Sequence, residues 1–162
     1  MSTDAGYGFV ATFEDLLSKN KAGKATLSVP KGAKIISPEH ISQLTDTWIA
    51  AVSNEGRMLV FPLQDLPQLA RGKGNKIISI SPARVASRDE FMVACALVTQ
   101  TSELLVHSGK RYLRLKASDL VHYRGERGRR GNKLPRGFQK VDSLAVEGSV
   151  PNEVDETPTD LA

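Results

Sequence analysis

The segment EGRMLVFPLQDLPQLARGKGNKIISI, residues 55–80, combines a glycine-ended turn, an apolar run, an Asp-Leu pair and a basic glycine loop. The same order of features occurs in AGYGFVATFEDLLSKNKAGKATLSV at 5–29 and in SGKRYLRLKASDLVHYRGERGRRGNKL at 108–134. A unit that recurs about every fifty residues is typical of repeat proteins, in which each unit packs against its neighbours. The sequence therefore predicts repeats at about 5–52, 55–106 and 108–144.

Short segments rich in branched and aromatic residues alternate with turn residues, which is typical of β-strands. No segment keeps the 3.6-residue helical period over several turns, and the Asp-Leu pairs and 82–88 are predicted to form only short helical turns. The fold is predicted to be all-β, with the basic loops on a common surface. The predicted strands are 8–12, 24–29, 48–52, 57–63, 76–80, 91–99, 103–108 and 111–115.

The single cysteine, Cys95, lies in the apolar run FMVACALV at 91–98. One cysteine cannot form an internal disulfide, and a cysteine within such a run is expected to be a small core residue. The run is too short to span a bilayer, and the N-terminus lacks the pattern of a secretory signal. We therefore expect a cytoplasmic protein with no membrane partner.

Charge is distributed very unevenly along the chain. Residues 1–140 contain all 22 lysines and arginines and 12 of the 18 acidic residues, whereas 141–162 contain six acids and no base. Within 124–140 there are seven bases and one acid. This asymmetry predicts a polyanion-binding body at 1–145 and an acidic, disordered tail at 146–162, which is also poor in aromatic residues.

The basic loops contain glycines that let the backbone approach a phosphate chain closely, beside cationic side chains that bind phosphate. Such loops are expected to bind a nucleic-acid backbone with little base selection, although isolated lysines on turns can also be merely solvated. The candidate DNA-binding residues are Lys19, Lys21, Lys24, Arg57, Arg71, Lys73, Lys76, Lys110, Arg111, Arg124, Arg127, Arg129, Arg130, Lys133 and Arg136.

Motifs for other chemistry are absent from the sequence. The segment GKGNK at 72–76 lacks the spacing and the Ser or Thr of a phosphate-binding P-loop. The three histidines are far apart, with no metal-ligand spacing, and no nucleophile motif is present. Asp15, Asp65 and Asp119 occupy the same place in each repeat, which favours a structural capping role. No catalytic residue, metal or cofactor is predicted.

Three stretches, AGYGFVATFEDLLSKNKAGKA (5–25), GRMLVFPLQDLPQLARGKGNKIISI (56–80) and GERGRRGNKLPRGFQKVD (125–142), resemble the C-terminal domain of bacterial type IIA topoisomerase A subunits. The likeness covers about 4–142 and is greatest to the topoisomerase IV branch. It implies a β-pinwheel, a propeller-like disc of blades that exchange strands and hold bent duplex DNA on basic edges. About three blades of a larger disc would be present here.

The resemblance also implies partners and a division of labour. The expected partners are duplex DNA, the ATPase (B) subunit, and the remaining part of the same polypeptide, in a nucleoid-associated bacterial enzyme. The breakage-reunion tyrosine of the family would lie outside this chain, so the chain alone is not expected to be an enzyme. Its expected role is to bind and bend DNA without sequence preference, presenting it for ATP-dependent decatenation and relaxation.

Three alternatives stay open at this stage, one of which is an RNA-binding repeat of the small β-barrel kind. Gyrase A subunits carry a Gln-Arg-Arg-Gly-Gly-Lys-Gly box for tight DNA wrapping, and the nearest segment here, RRGNK at 129–133, lacks its first and last residues. A gyrase-type wrapping domain is therefore the less favoured DNA-binding role. The third alternative is a propeller-like scaffold that binds another protein.

Overall fold

Three antiparallel sheets form the framework of the computed structural model, which describes residues 1–148. The strands are β1 (Ser2–Thr3), β2 (Tyr7–Gly8), β3 (Ile35–Ile36), β4 (Trp48–Ser53), β5 (Arg57–Pro62), β6 (Asn75–Lys76), β7 (Met92–Val98), β8 (Glu103–Ser108), β9 (Arg111–Leu115), β10 (Asn132–Lys133) and β11 (Ser143–Glu147). The helices are α1 (Phe13–Leu16), α2 (Pro82–Ser87) and α3 (Ala117–Leu120), with 3-10 turns at Leu63–Asp65 and Val121–Tyr123.

Each sheet is built on one hairpin of the repeat. The hairpins are β1–β2, β4–β5 and β8–β9, and a third strand joins the first strand of each hairpin, namely β3, β7 and β11. Gly6 and Gly56 close the first two turns at positive φ (87° and 79°), a conformation that costs glycine little. The recurring turn glycine of the sequence therefore marks the tip of each hairpin.

The first two sheets receive a fourth strand from the basic loop of the following repeat. Strand β6 pairs with β2, and β10 pairs with β5 in the same antiparallel sense. The residue after each donated strand also bonds to the hairpin tip, since the amide of Ile77 donates to the carbonyl of Gly6 at 2.6 Å and that of Leu134 to Gly56 at 2.8 Å. Strand exchange thus joins each blade to the next.

The second sheet is buried on both faces. Alternate residues of β4, such as Ile49, pack in a core shared with the first sheet, while the intervening residues, such as Val52, pack in a core shared with the third sheet. Cys95 on β7 packs against the first of these cores, and desolvation raises the pKa of its thiol above the ordinary value. The predicted core role of this cysteine is confirmed.

The outer face of the third sheet is polar. The register places Arg114 beside Glu103 and Glu147, and its guanidinium forms ion pairs with both carboxylates. Tyr112 on the same face is 59% exposed. No donated strand pairs with β9 among residues 1–148, so this edge of the sheet is open.

Several sequence-based boundaries are wrong. The predicted strands 8–12 and 76–80 contain only the ends of β2 and β6, and 24–29 contains no strand, because the backbone there bonds to other loops. The amide of Val10, for example, donates to Pro67 at 2.9 Å. By contrast, the short helix predicted at 82–88 is confirmed as α2.

The ordered body extends beyond the sequence-based limit at residue 145. Strand β11 pairs with β8 along its whole length and includes Val146 and Glu147, which the sequence assigns to the acidic tail. The rest of that tail, from residue 149, lies outside the described residues. In the part of the chain that the structure describes, every helix is too short for a bilayer crossing.

The glycine before each donated strand contacts the receiving strand directly. A Cβ added to Gly131 would lie 2.3 Å from the carbonyl oxygen of Met58, and one added to Gly74 would lie 2.1 Å from that of Gly8. Gly23 occupies the same place in the first loop with a similar φ of 84°, yet no atom lies within 4 Å of its Cβ position. The glycine requirement therefore has two separable parts, backbone conformation and close approach.

We expect Gly131→Ala to lower the free energy of unfolding by roughly 3 kcal/mol or more, because the methyl group forces β10 away from β5 in addition to straining φ. Gly23→Ala is the matched control, with only the conformational cost of about 1–2 kcal/mol. Urea denaturation of both variants measures the difference. If both variants lost the same free energy of unfolding, the close approach of Gly131 to Met58 would make no separate contribution to stability.

Candidate nucleic-acid interface

The first basic loop begins at a capped helical turn. The hydroxyl oxygen of Thr12 accepts a hydrogen bond from the Asp15 amide at 3.2 Å, and the Asp15 carboxylate accepts one from the Thr12 hydroxyl at 2.8 Å. Asp119 caps α3 in a related way, accepting from the Lys116 amide at 2.9 Å. The predicted capping role is thus confirmed for these two aspartates, whereas the 3-10 turn that contains Asp65 has no side-chain cap at its start.

The basic loops touch one another in sequence order. Loop one (17–28) bonds to loop two (67–79), because the Ser28 amide donates to the carbonyl of Gly72 and the Gly72 amide donates to Thr26, both at 2.9 Å. Loop two bonds to loop three (124–136), because the Gly128 amide donates to the Ile77 carbonyl at 2.9 Å. We call the continuous surface formed by these three loops the basic rim.

The tip of the third hairpin extends the basic rim. A Cβ on Gly137 would lie 3.0 Å from Nη1 of Arg111, so this guanidinium sits against the end of loop three. The amide of Gly109 donates to the Asp142 carboxylate at 2.6 Å and holds the tip in place. The bases of the third hairpin therefore join those of loop three.

Eight of the candidate DNA-binding side chains are exposed and make no hydrogen bond, ion pair or cation–π contact with residues 1–148. They are distributed over all three loops and the third hairpin, which leaves their charge available to a ligand. These residues are Lys19, Lys21, Arg71, Lys76, Lys110, Arg111, Lys133 and Arg136.

Other candidate bases are exposed but already in contact with neighbours. The ammonium of Lys73 lies 4.5 Å from the ring centre of Tyr7, and the guanidinium of Arg124 lies 4.3 Å from that of Trp48. These cation–π contacts hold the charge at the surface without neutralising it. Lys24 donates to a backbone carbonyl of α1 at 2.5 Å and likewise keeps its charge.

Three candidate bases are half-buried and connect parts of the fold. Arg57 donates to the carbonyl of Gly131 at 3.2 Å, and Arg127 donates to that of Lys76 at 2.7 Å. Arg130 donates to a carbonyl of loop two at 3.0 Å. Arg127 and Arg130 thus join loop three to loop two, and Arg57 joins β5 to loop three, roles that the local sequence does not reveal. Whether each of the candidate bases contacts DNA stays a prediction.

The histidines pack against aromatic rings. His40 stacks on Phe13 with 5.8 Å between ring centres, and His122 packs edge-on against Tyr123 at 5.0 Å. Among residues 1–148 no three metal-binding side chains come together.

Comparison with known proteins identifies the family to which this chain belongs. The sequence profile of the family described as "DNA gyrase C-terminal domain, beta-propeller" matches residues 1–42 and 47–98, more than half of the chain. The chain belongs to this family. The predicted β-pinwheel, with its strand-exchanged blades, is thereby confirmed.

The relatives specify the branch of the family. The A subunit of DNA topoisomerase 4 from Pseudomonas aeruginosa is 56% identical over 147 residues, and its counterpart from Escherichia coli is 44% identical over 147 residues. Each alignment covers 91% of this chain but only 20% and 19% of the respective relative. The chain thus spans about a fifth of the length of these curated relatives, and the predicted resemblance to the topoisomerase IV branch is confirmed.

Solved structures agree with this assignment. The E. coli ParC C-terminal domain superposes with a TM-score of 0.84 at 42% identity, covering 91% of this chain and 59% of that domain. A second structure, described as the C-terminal domain of DNA topoisomerase IV, has a TM-score of 0.71 at 14% identity and supports the fold alone. Family and fold are therefore consistent at the level of sequence and of structure.

Removing the Arg127 guanidinium should loosen the joint between loops two and three. In Arg127→Gln the shorter side chain no longer reaches the Lys76 carbonyl, so we expect about tenfold faster amide hydrogen exchange at Gly128, which bonds to loop two. The amide of Gly125 bonds instead to the Val60 carbonyl at 3.0 Å and is the internal control. Equal acceleration at both amides would indicate general destabilisation rather than a local joint.

Proposed function

We propose that this chain binds the backbone of duplex DNA along the basic rim and bends it, without reading its sequence. The observation that carries the proposal is the continuity of the rim, in which hydrogen bonds join three cationic loops from successive repeats. Free lysines and arginines along such a surface favour phosphate contacts, which give affinity and little base selection. The family membership supports the same role.

Bending follows from the geometry of the fold class. The blades of a propeller are arranged around an axis, so a rim that runs over successive blades is convex. A duplex that follows it has to curve, at an elastic cost of a few kcal/mol that phosphate contacts offset. The absence of the complete Gln-Arg-Arg-Gly-Gly-Lys-Gly box favours a limited bend over gyrase-type wrapping.

Within a larger enzyme the chain would position DNA for reactions performed elsewhere. The relatives extend far beyond the region matched here, and they are named as subunits of a topoisomerase. We propose three partners, namely duplex DNA, the rest of the same polypeptide and the enzyme's ATPase subunit. No step of strand cleavage or ATP hydrolysis is assigned to residues of this chain.

A protein-binding role is the second candidate, and exposed apolar side chains of the first repeat favour it. Phe13 is 73% exposed, Leu17 72% and Ile35 63%. Phe13 also lines one open cavity with two further exposed apolar residues, Leu16 and Leu44, and a contiguous apolar surface of this kind is typical of one that another polypeptide segment covers. The rest of the same polypeptide is the partner that fits both this surface and the DNA-binding role.

The affinity for a fluorescein-labelled 20-base-pair duplex should fall steeply with salt. Contacts to six to eight phosphates predict a slope of log K against log salt of about −5 to −7, or a loss of roughly 10³- to 10⁴-fold between 50 and 200 mM. Fluorescence anisotropy measures the slope, and dyes at both duplex ends report the bend. A flat salt response would refute the DNA-binding proposal and favour the protein-binding surface.

The slope should depend on the free side chains of the rim. The variant Lys19→Gln/Lys21→Gln/Arg71→Gln removes three of them, so the slope should become less steep by about 2–3 for every duplex sequence tested. Lys31→Gln/Lys34→Gln is the control and should leave the slope unchanged, since it removes two exposed charges just before β3, at the opposite edge of the first sheet from β6. If the control changed the slope as much, the binding surface would not be the rim.

A further inference from the structure

Glu90 is the most deeply buried carboxylate beside the basic rim. Its side chain is 1% exposed, and it lies between α2 and β7 in the linker of the second repeat. Burying a carboxylate is costly unless cations and hydrogen-bond donors compensate its charge. The partners of Glu90 therefore indicate why the charge is placed there.

Two guanidiniums from different repeats flank this carboxylate. Nη1 of Arg84, on α2, lies 3.2 Å from Oε2, and Nη1 of Arg130, in loop three, lies 2.7 Å from Oε1. Arg84 also reaches Glu55 at the tip of the second hairpin, at 2.5 Å, and this hydrogen bond raises the pKa of the Arg84 guanidinium. The network connects a hairpin tip, a helix and a DNA-binding loop.

The network turns one base of loop three inward while its neighbour points outward. The Arg130 side chain is 39% exposed, and its hydrogen bond goes to the Ser79 carbonyl at 3.0 Å, whereas its contact with Glu90 is an ion pair that leaves Oε1 without a hydrogen-bond donor among residues 1–148. The side chain of Arg129 is 73% exposed and is paired only with the exposed Glu126 among residues 1–148. Two adjacent arginines thus have opposite surroundings, although the sequence gives them the same role.

We propose that Glu90 is a positioning residue for DNA binding: it anchors loop three through Arg130, which acts as a brace rather than as a phosphate contact. This inference rests on the DNA-binding function proposed above and assigns the role of one member of the predicted set. Without the anchor, loop three samples more conformations, and DNA binding then has to order it at a cost in affinity.

The variant Glu90→Gln distinguishes two effects of Glu90 on DNA affinity, namely the positioning of loop three and the repulsion of DNA by a negative charge. The substitution removes a negative charge near the rim, so electrostatics alone would strengthen DNA binding. Loss of the anchor instead predicts binding weaker by about 3–10-fold at constant salt. Glu126→Gln is the matched control, since it removes the same charge from the exposed surface of the same loop and should strengthen binding by up to about threefold.

A measurement on the protein without DNA tests the anchoring role of Glu90 separately from the proposed DNA-binding function. Amide hydrogen exchange in 125–131 should accelerate in Glu90→Gln and stay unchanged in Glu126→Gln. If the wild-type chain failed to bind DNA while this difference appeared, the function would be refuted and the anchor retained. Unchanged exchange together with equal or tighter DNA binding in Glu90→Gln would overturn the inference.

If Glu90→Gln does not fold, the variant Arg130→Gln tests whether Arg130 braces loop three or contacts phosphate. As a brace, Arg130 contributes no counterion release, so its loss should weaken affinity while leaving the salt slope unchanged. Arg129→Gln is the comparison, because loss of a phosphate contact there should make the slope less steep by about 0.9. A change of that size in Arg130→Gln would show that Arg130 contacts phosphate and would overturn the proposal.

Discussion

The architecture depends on the close contact between a glycine of one repeat and the hairpin of the preceding repeat. Gly131 approaches Met58 and Gly74 approaches Gly8 so closely that no side chain fits between the backbones. Only at this separation can two-residue strands such as β10 form their ladder and bring the next apolar residue into the core. The packing of successive blades and the positions of loops two and three follow from this contact.

The structural contacts between blades and the bases proposed to bind DNA therefore lie in the same short loops. Each donated strand is also the part of its loop that presents Lys76 or Lys133 to solvent. Bases with no internal partner are available for phosphate, whereas Arg57 and Arg127 stabilise the joints between loops. Only some of the bases in a dense cationic loop are therefore free to bind phosphate, because others pair with carbonyl and carboxylate oxygens of the fold.

Much of this organisation could be predicted from the sequence, because turn glycines, apolar runs and Gly-Asn-Lys segments recur at regular spacing. The repeats, the β class and the basic surface follow from that pattern. The pairing of Ile35–Ile36 could not be predicted, because a strand of two residues has no measurable periodicity. The inward orientation of Arg130 also escaped prediction, because its partner Glu90 is forty residues away in the sequence and carries no local signature.

Strand exchange also imposes an order on folding during translation. The edge of β2 at Tyr7 stays unpaired until Lys76 has left the ribosome, and that of β5 at Arg57 waits for Lys133. The first two sheets are thus each completed one repeat late, and until then the nascent chain exposes an unpaired β edge. Such edges are prone to mispairing, so slow elongation within a basic loop would prolong the interval in which aggregation competes with folding.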